Sequence, residues 1–165
     1  MPVEEQGVSQ ERYMVIPRTA VFLRDGEKYL LIKGSPTKRL WGGKYNGIGG
    51  HVERGEDILQ SAARELREET GLEADLWLCG TVVVDAGEVG VCLFVFTGEA
   101  TGGSLRESAE GLPEWLPYDR LRALPTVEDV PVLVERIRNM RRGDAPFASR
   151  SFYDAQGKLN LQFEN

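Results

Sequence analysis

Apolar and polar residues change period several times along the chain, and each change marks an element. Over residues 13–23 and 29–33, β-branched and aromatic residues dominate on either side of an Asp25-Gly26 pair, which predicts a β-hairpin. A loop containing Gly and Lys follows. At Asp57 the period shifts: Asp57 and Gln60 have capping-box spacing, and Leu59, Ala62, Ala63 and Leu66 recur at helical intervals. A helix is therefore predicted from about Asp57, with Gly71 suited to its C-terminal cap. At about 100° per residue, the four apolar residues share one buried stripe, Glu65, Glu68 and Glu69 gather on one flank, and Arg64 and Arg67 on the other.

Beyond this helix, strands are predicted over 74–84 and 89–97 about Ala86-Gly87, then a Gly-rich loop over 100–106 and a short strand through Trp115 and Leu116. A second helix is predicted over 127–141, and a closing hairpin pairs 149–153 with 159–163 about Gln156-Gly157. Strands flanking two helices in irregular order predict an α+β fold with a mixed central sheet.

At 165 residues, 41% hydrophobic and 28% charged, the chain is expected to form one domain over 1–165, with 1–12 a flexible N-terminal extension. That extension is polar and acidic, unlike a signal peptide, and the longest apolar run, 91–96, is too short to span a bilayer, so a cytoplasmic protein is expected. A formal net charge of −6 argues against a nucleic-acid-binding surface. Arg136, Arg138, Arg141 and Arg142 form one basic cluster, which either complements the end of the second helix or contacts phosphate. Cys79 and Cys92 lie alone in apolar segments and are expected to be buried thiols.

The glutamates carry the chemistry. Glu65 is a helical neighbour of both Glu68 and Glu69, and such like-charge pairs are unfavourable unless something neutralises them. A solvated face on which Arg64 pairs with Glu68 would do so; a divalent metal is the other solution. Gly49 and Gly50 ahead of the helix permit a tight turn that brings a carbonyl close to the carboxylates, and hard oxygen donors of this kind suit Mg²⁺ or Mn²⁺.

Gly50-His51-Val52-Glu53-Arg54-Gly55-Glu56, seven intervening residues and Arg64-Glu65-Leu66-Arg67-Glu68-Glu69-Thr70-Gly71-Leu72 together resemble a complete Nudix box. The resemblance implies an α/β/α sandwich in which a loop-helix-loop and a C-terminal helix flank the sheet. It also implies metal-dependent hydrolysis of a nucleoside diphosphate linked to another group. The implied metal ligands are the Gly49 carbonyl, Glu65, Glu68, Glu69 and Glu110, and Glu56 with Arg64 would hold the loop to the helix. Glu65 and Glu68 are both candidates to take the proton of the attacking water.

Outside the box the chain is similar to the MutT-like branch, which hydrolyses oxidised purine nucleoside triphosphates such as 8-oxo-dGTP to the monophosphate and pyrophosphate. Tyr45-Asn46-Gly47-Ile48-Gly49-Gly50 matches a segment whose Asn reads the purine, although Asn46 equally suits a tight turn before Gly47. Glu110 precedes Trp115 as that branch's loop ligand precedes its Trp, and Glu128-Asp129 stands roughly where an acidic pair reads the base. Trp41 could stack on a base or serve the loop. Tyr45 replaces the usual Trp, and His51, the only histidine, replaces the usual Lys after the glycines. The expected partner is a small nucleotide, with neither nucleic acid polymer nor membrane, acting on a monomer or homodimer. ADP-ribose or nucleotide-sugar cleavage is the alternative within the family, and a non-catalytic nucleotide-binding module the alternative outside catalysis.

Overall fold

Local signals and distant pairings divide the fold between them in the computed structural model, which describes residues 2–9 and 11–164; residues 1 and 10 of the expected extension, and residue 165, lie outside the described residues. Strands β1 (Met14–Asp25) and β2 (Lys28–Gly34) form the expected hairpin, with Arg24 opposite Tyr29 and Asp25 opposite Lys28. Only the turn end of the hairpin is paired. The rest of β1 runs parallel to β5 (Val89–Gly103), from Met14 beside Val89 to Leu23 beside Gly98.

A two-residue strand β3 (Tyr45–Asn46) and strand β6 (Gly111–Pro117) both pair antiparallel with β2. Strand β4 (Leu72–Val84) pairs antiparallel with β5 and parallel with β7 (Phe147–Tyr153), which closes antiparallel on β8 (Leu159–Phe163). The sheet order is β3-β2-β1-β5-β4-β7-β8, with β6 on β2. It is the mixed sheet expected.

Alternation along β1 splits the core into two layers. Val21 and Leu23 pack with Ile48, Ala62, Leu66 and Phe96 on the side of helix α1 (Ile58–Thr70). Ala20 and Phe22 face the other way, among Leu121, Val130, Leu133 and Val134 under helix α2 (Val130–Arg138). Helix α1 begins as its sequence dictates: Asp57 accepts from the Leu59 and Gln60 N–H groups while Gln60 accepts from the Asp57 N–H. It ends where Gly71 adopts a left-handed backbone at φ 77° and donates to the Arg67 carbonyl.

Four expectations are corrected. Leu59 is 47% exposed and lies off the buried face; the buried stripe consists of Ser61, Ala62 and Leu66 with the polar ends Glu69 and Thr70. Residues 100–103 are not loop: β5 continues through them because Leu72 and Glu73 supply an antiparallel partner. Helix α2 is shorter than 127–141, since Pro131 lies in its first turn and Asn139 caps its end. The arginines around it do not form one cluster. Arg136 stacks on Phe147 and Phe163, Arg138 pairs with Glu27 over Tyr118, and Arg142 pairs with Asp75. Cys79 is buried and Cys92 half-buried, both as thiols. No helix among the described residues is long and apolar enough to cross a membrane.

Candidate functional site

The segment from Asn46 to His51 is laid along β1. Ile48 exchanges backbone hydrogen bonds with Val21 at 2.6 and 3.1 Å, and the Gly50 carbonyl accepts from the Thr19 N–H at 2.9 Å. This brings Gly49 and Gly50 onto the carboxylate face of α1. The Gly49 N–H donates to Glu69 Oε2 at 3.2 Å, and a Cβ on Gly50 would come within 2.4 Å of Glu65 Oε1. Glycine at position 50 is thus what lets the Glu65 carboxylate lie against the loop backbone.

Glu69 is 6% exposed. Burial, then the charge of neighbouring Glu65, pushes its pKa up to about 8, against the Gly49 N–H, which favours the ionised form. Glu110, carried on the turn before β6, adds to the same rise and is itself paired with Lys38 of the β2–β3 loop. Carboxylates that disfavour one another's charge, with hard oxygen donors alone, fit a divalent cation of the Mg²⁺ or Mn²⁺ class, which would reverse the sign of the local field. Among the described residues no three acidic, His or Cys side chains converge as a ready-made ligand cluster. Arg64 and Lys38 hold the Glu65 and Glu110 carboxylates in ion pairs instead.

Helical phase puts Arg64 on the flank away from the glutamates, and its long side chain reaches back across them. Its Nε and Nη2 grip Glu56 at 2.6 and 2.9 Å, its Nη1 reaches Glu65 at 2.9 Å and Glu68 at 3.3 Å, and Nη2 also donates to the His51 carbonyl at 3.2 Å. The bidentate contact holds the Glu56 pKa down to about 2. Glu56 also accepts from the Glu53 N–H, so Arg64 ties the loop to the helix. Should the site be catalytic, replacing Arg64 with Met is expected to lower kcat/KM by about 10- to 100-fold, the scale of losing a residue that orients working carboxylates, with Arg64→Lys recovering only part of it because the fork is lost. Steady-state kinetics of the two variants would expose a merely solvated Arg64 by leaving kcat/KM unchanged.

Glu68 is different from its neighbours, with a side chain 60% exposed and only Arg64 as a partner. Between β1, the 46–49 segment, α2 and the C-terminal hairpin lies a cavity of about 160 Å³. Asn46, Trp41, Gly49 and Asp129 all line it. The Asn46 side chain also accepts from the Gly47 N–H at 2.8 Å, so the turn role and cavity exposure coexist. Asp129 makes no side-chain capping bond to α2, and burial raises its pKa, against nearby backbone N–H groups that favour the ionised form and with the charge of Glu128 adding to the rise. Trp41 holds a left-handed backbone at φ 58°, uncommon for a large side chain, with Arg18 over its ring. Glu128 departs from the expectation: it is exposed and accepts from the Leu159 N–H at 3.3 Å, outside the cavity.

Tyr45 is buried, donates to Glu114 at 2.6 Å and has its pKa pushed up to about 12, chiefly by that hydrogen bond. It supports the loop from below. His51 is exposed and its carbonyl, not its ring, is engaged, by Ser61 and Arg64. Lys38 and Arg18 went unnoticed in the sequence; a lone cation inside the apolar run of β1 was the available signal for Arg18.

The family model of the NUDIX domain matches residues 14–137. The oxidized purine nucleoside triphosphate hydrolase of Danio rerio is 35% identical over 94 residues, covering 55% of this chain and 60% of that protein. The corresponding hydrolase of Mus musculus is 33% identical over 107 residues, covering 62% of this chain and 67% of that protein. In fold, the MutT protein from Bacillus halodurans aligns with a TM-score of 0.71 at 24% identity, covering 91% of this chain and 98% of that one.

Proposed function

Since the chain belongs to the NUDIX domain family, we propose that it is a metal-dependent pyrophosphohydrolase that converts an oxidised purine nucleoside triphosphate, such as 8-oxo-dGTP, to the monophosphate and pyrophosphate. The observation that carries this reading is the continuity of two places: the carboxylates at Gly49 and Gly50 adjoin a cavity edged by Asn46 and Asp129. The names of the animal relatives support the substrate class. Mg²⁺ or Mn²⁺ held by Glu65, Glu69, Glu110 and the Gly49 carbonyl, with Glu68 adjacent, would polarise phosphoryl oxygens and acidify water.

Within the chain, each residue then has a task. A water oxygen adds to phosphorus, the P–O–P bridge breaks, and the water's proton passes to a carboxylate. Glu65 suits that step better than Glu68, because it lies against Gly50 beside Glu69 whereas Glu68 points to solvent. Glu56 and Arg64 position the loop and Glu65. Asn46 offers both a donor and an acceptor to a base edge, Asp129 a carboxyl, and Trp41 an aromatic face on the cavity wall. The substrate is a free cytoplasmic nucleotide, and neither a nucleic acid polymer nor a membrane takes part; the reading is compatible with a monomer or a homodimer.

Ion-exchange analysis of products after incubation with Mg²⁺ and 8-oxo-dGTP, 2-hydroxy-dATP, the normal dNTPs and ADP-ribose tests the proposal. Preferential formation of an oxidised purine monophosphate and pyrophosphate is expected. Cleavage of ADP-ribose alone would move the substrate within the family, and tight nucleotide binding with no turnover would leave a non-catalytic module.

A further inference from the structure

Three buried side-chain atoms among the described residues have no protein hydrogen-bond partner: Arg18 Nε, Thr19 Oγ1 and Ser151 Oγ. All three residues line the cavity shared by Asn46 and Asp129. Thr19 is 3% and Ser151 2% exposed, so neither hydroxyl belongs to the open surface. Buried polar groups are nearly always paired, and the unpaired Arg18 and Ser151, on the sheet face of Ala20 and Phe147, mark a polar wall beside this cavity.

Arg18 is the most informative of the three. Its guanidinium carbon lies 5.6 Å from the centroid of the Trp41 ring, and no carboxylate among the described residues pairs with it. Arg18 and Trp41 border not only this cavity but also the smaller space lined by Lys38, Lys44 and Glu69. Arg18 therefore stands where the base side of the site meets the phosphate side. In a purine nucleotide the ring carbon nearest that junction is C8, beside the glycosidic nitrogen. The adjacent wall is apolar, with Ala20, Val91 and Leu93, which suits a neutral carbonyl better than a phosphate.

Resting on the function proposed above, we propose that Arg18 is a specificity residue whose guanidinium donates from its outer N–H groups to the oxygen that oxidation places on C8 of a purine, with Trp41 as the positioning residue that holds the guanidinium. An unoxidised purine carries only C8–H there, leaves the donor unpaired and is disfavoured. The discrimination lies in a fixed donor supplied by β1, separate from the base edge facing Asn46 and Asp129.

Comparing kcat/KM for 8-oxo-dGTP, dGTP and 2-hydroxy-dATP in the wild type, Arg18→Gln and Arg18→Lys tests this. Both substitutions are expected to reduce the preference for 8-oxo-dGTP over dGTP by about 10- to 100-fold, the scale of a charge-assisted hydrogen bond. Turnover of 2-hydroxy-dATP, whose added oxygen is on the other ring, is retained and reports an intact fold. Trp41→Phe keeps the preference, because an aromatic face still carries the cation, and Trp41→Ala loses it. An equal fall on 8-oxo-dGTP and dGTP would place the contact on the phosphates or sugar and overturn the inference, as would an unchanged ratio. A wild type that cleaves neither oxidised triphosphate would instead remove the functional reading, and this inference with it.

Discussion

Glu69→Gln is expected to lower kcat/KM by about 10²- to 10³-fold, the scale of removing one fixed electrostatic contact to a transition state, and at the same time to stabilise the metal-free protein in alkaline solution. The two effects share one cause. Glu69 is buried beside Glu65, and its pKa in the folded chain is about 8 against 4.5 for the free side chain. A folded value raised above the unfolded one means that the folded state holds the proton more tightly. The stability tied to that proton is fully present below about pH 4.5 and is lost as the pH rises through about 8.

The loss amounts to something on the order of a few kcal/mol, a sizeable part of a typical domain's stability. Thermal melts from pH 6 to 9.5, with and without Mg²⁺, should therefore show the metal-free wild type weakening from pH 6 to about 8 and levelling off above that, with Mg²⁺ opposing the loss. Gln cannot ionise, so the variant should show a much flatter profile and little response to Mg²⁺. A wild-type stability profile flat from pH 6 to about 8, or a variant that keeps full activity, would contradict the role given to Glu69.

Adjacent glycines give the second large contrast. Gly49 has φ 151°, and a Cβ there would sit 2.1 Å from the Thr19 carbonyl oxygen. That oxygen belongs to β1, whose strand is paired in register with β5 and cannot retreat without breaking pairs. Gly49→Ala is expected to destabilise the fold by about 2–5 kcal/mol, combining overpacking with backbone strain. Gly50→Ala meets only the tip of the Glu65 side chain, which can swing aside. Its urea midpoint should stay near that of the wild type while kcat/KM falls by about 100-fold, the scale of a misplacement of about 1 Å at a reacting centre. Equal destabilisation by both substitutions, or normal activity in Gly50→Ala, would show that the loop does not depend on a close approach to Glu65.

How much of this could be read beforehand follows from the range of each interaction. The capping box of Asp57 and Gln60, the Gly71 cap and the hairpin turns all depend on residues within a few positions, and all appear where the pattern put them, whereas of the three helix glutamates Glu68 turns to solvent. The extent of β5 through Gly103 was hidden because glycines read as loop until the antiparallel partner at Leu72 and Glu73 is known. The reach of Arg64 to Glu65 and the His51 carbonyl was hidden for a related reason: helical phase fixes where its Cα lies, whereas its long side chain follows partners that the loop delivers.

Local spacing alone fixes helix α1, its caps and the placing of Glu65 and Glu69 on one of its faces, because each depends on residues within one or two turns. The sequence by itself also determined the α+β class, through the order of periodic segments. Tertiary structure alone decided the rest. The parallel pairing of β1 with β5 and of β4 with β7 joins segments far apart in sequence. That pairing buries Glu69, sets Arg18 against Trp41 and brings Ser151 from the C-terminal hairpin opposite Asn46. Burial and long-range approach are properties of packed surfaces, and no local spacing encodes them.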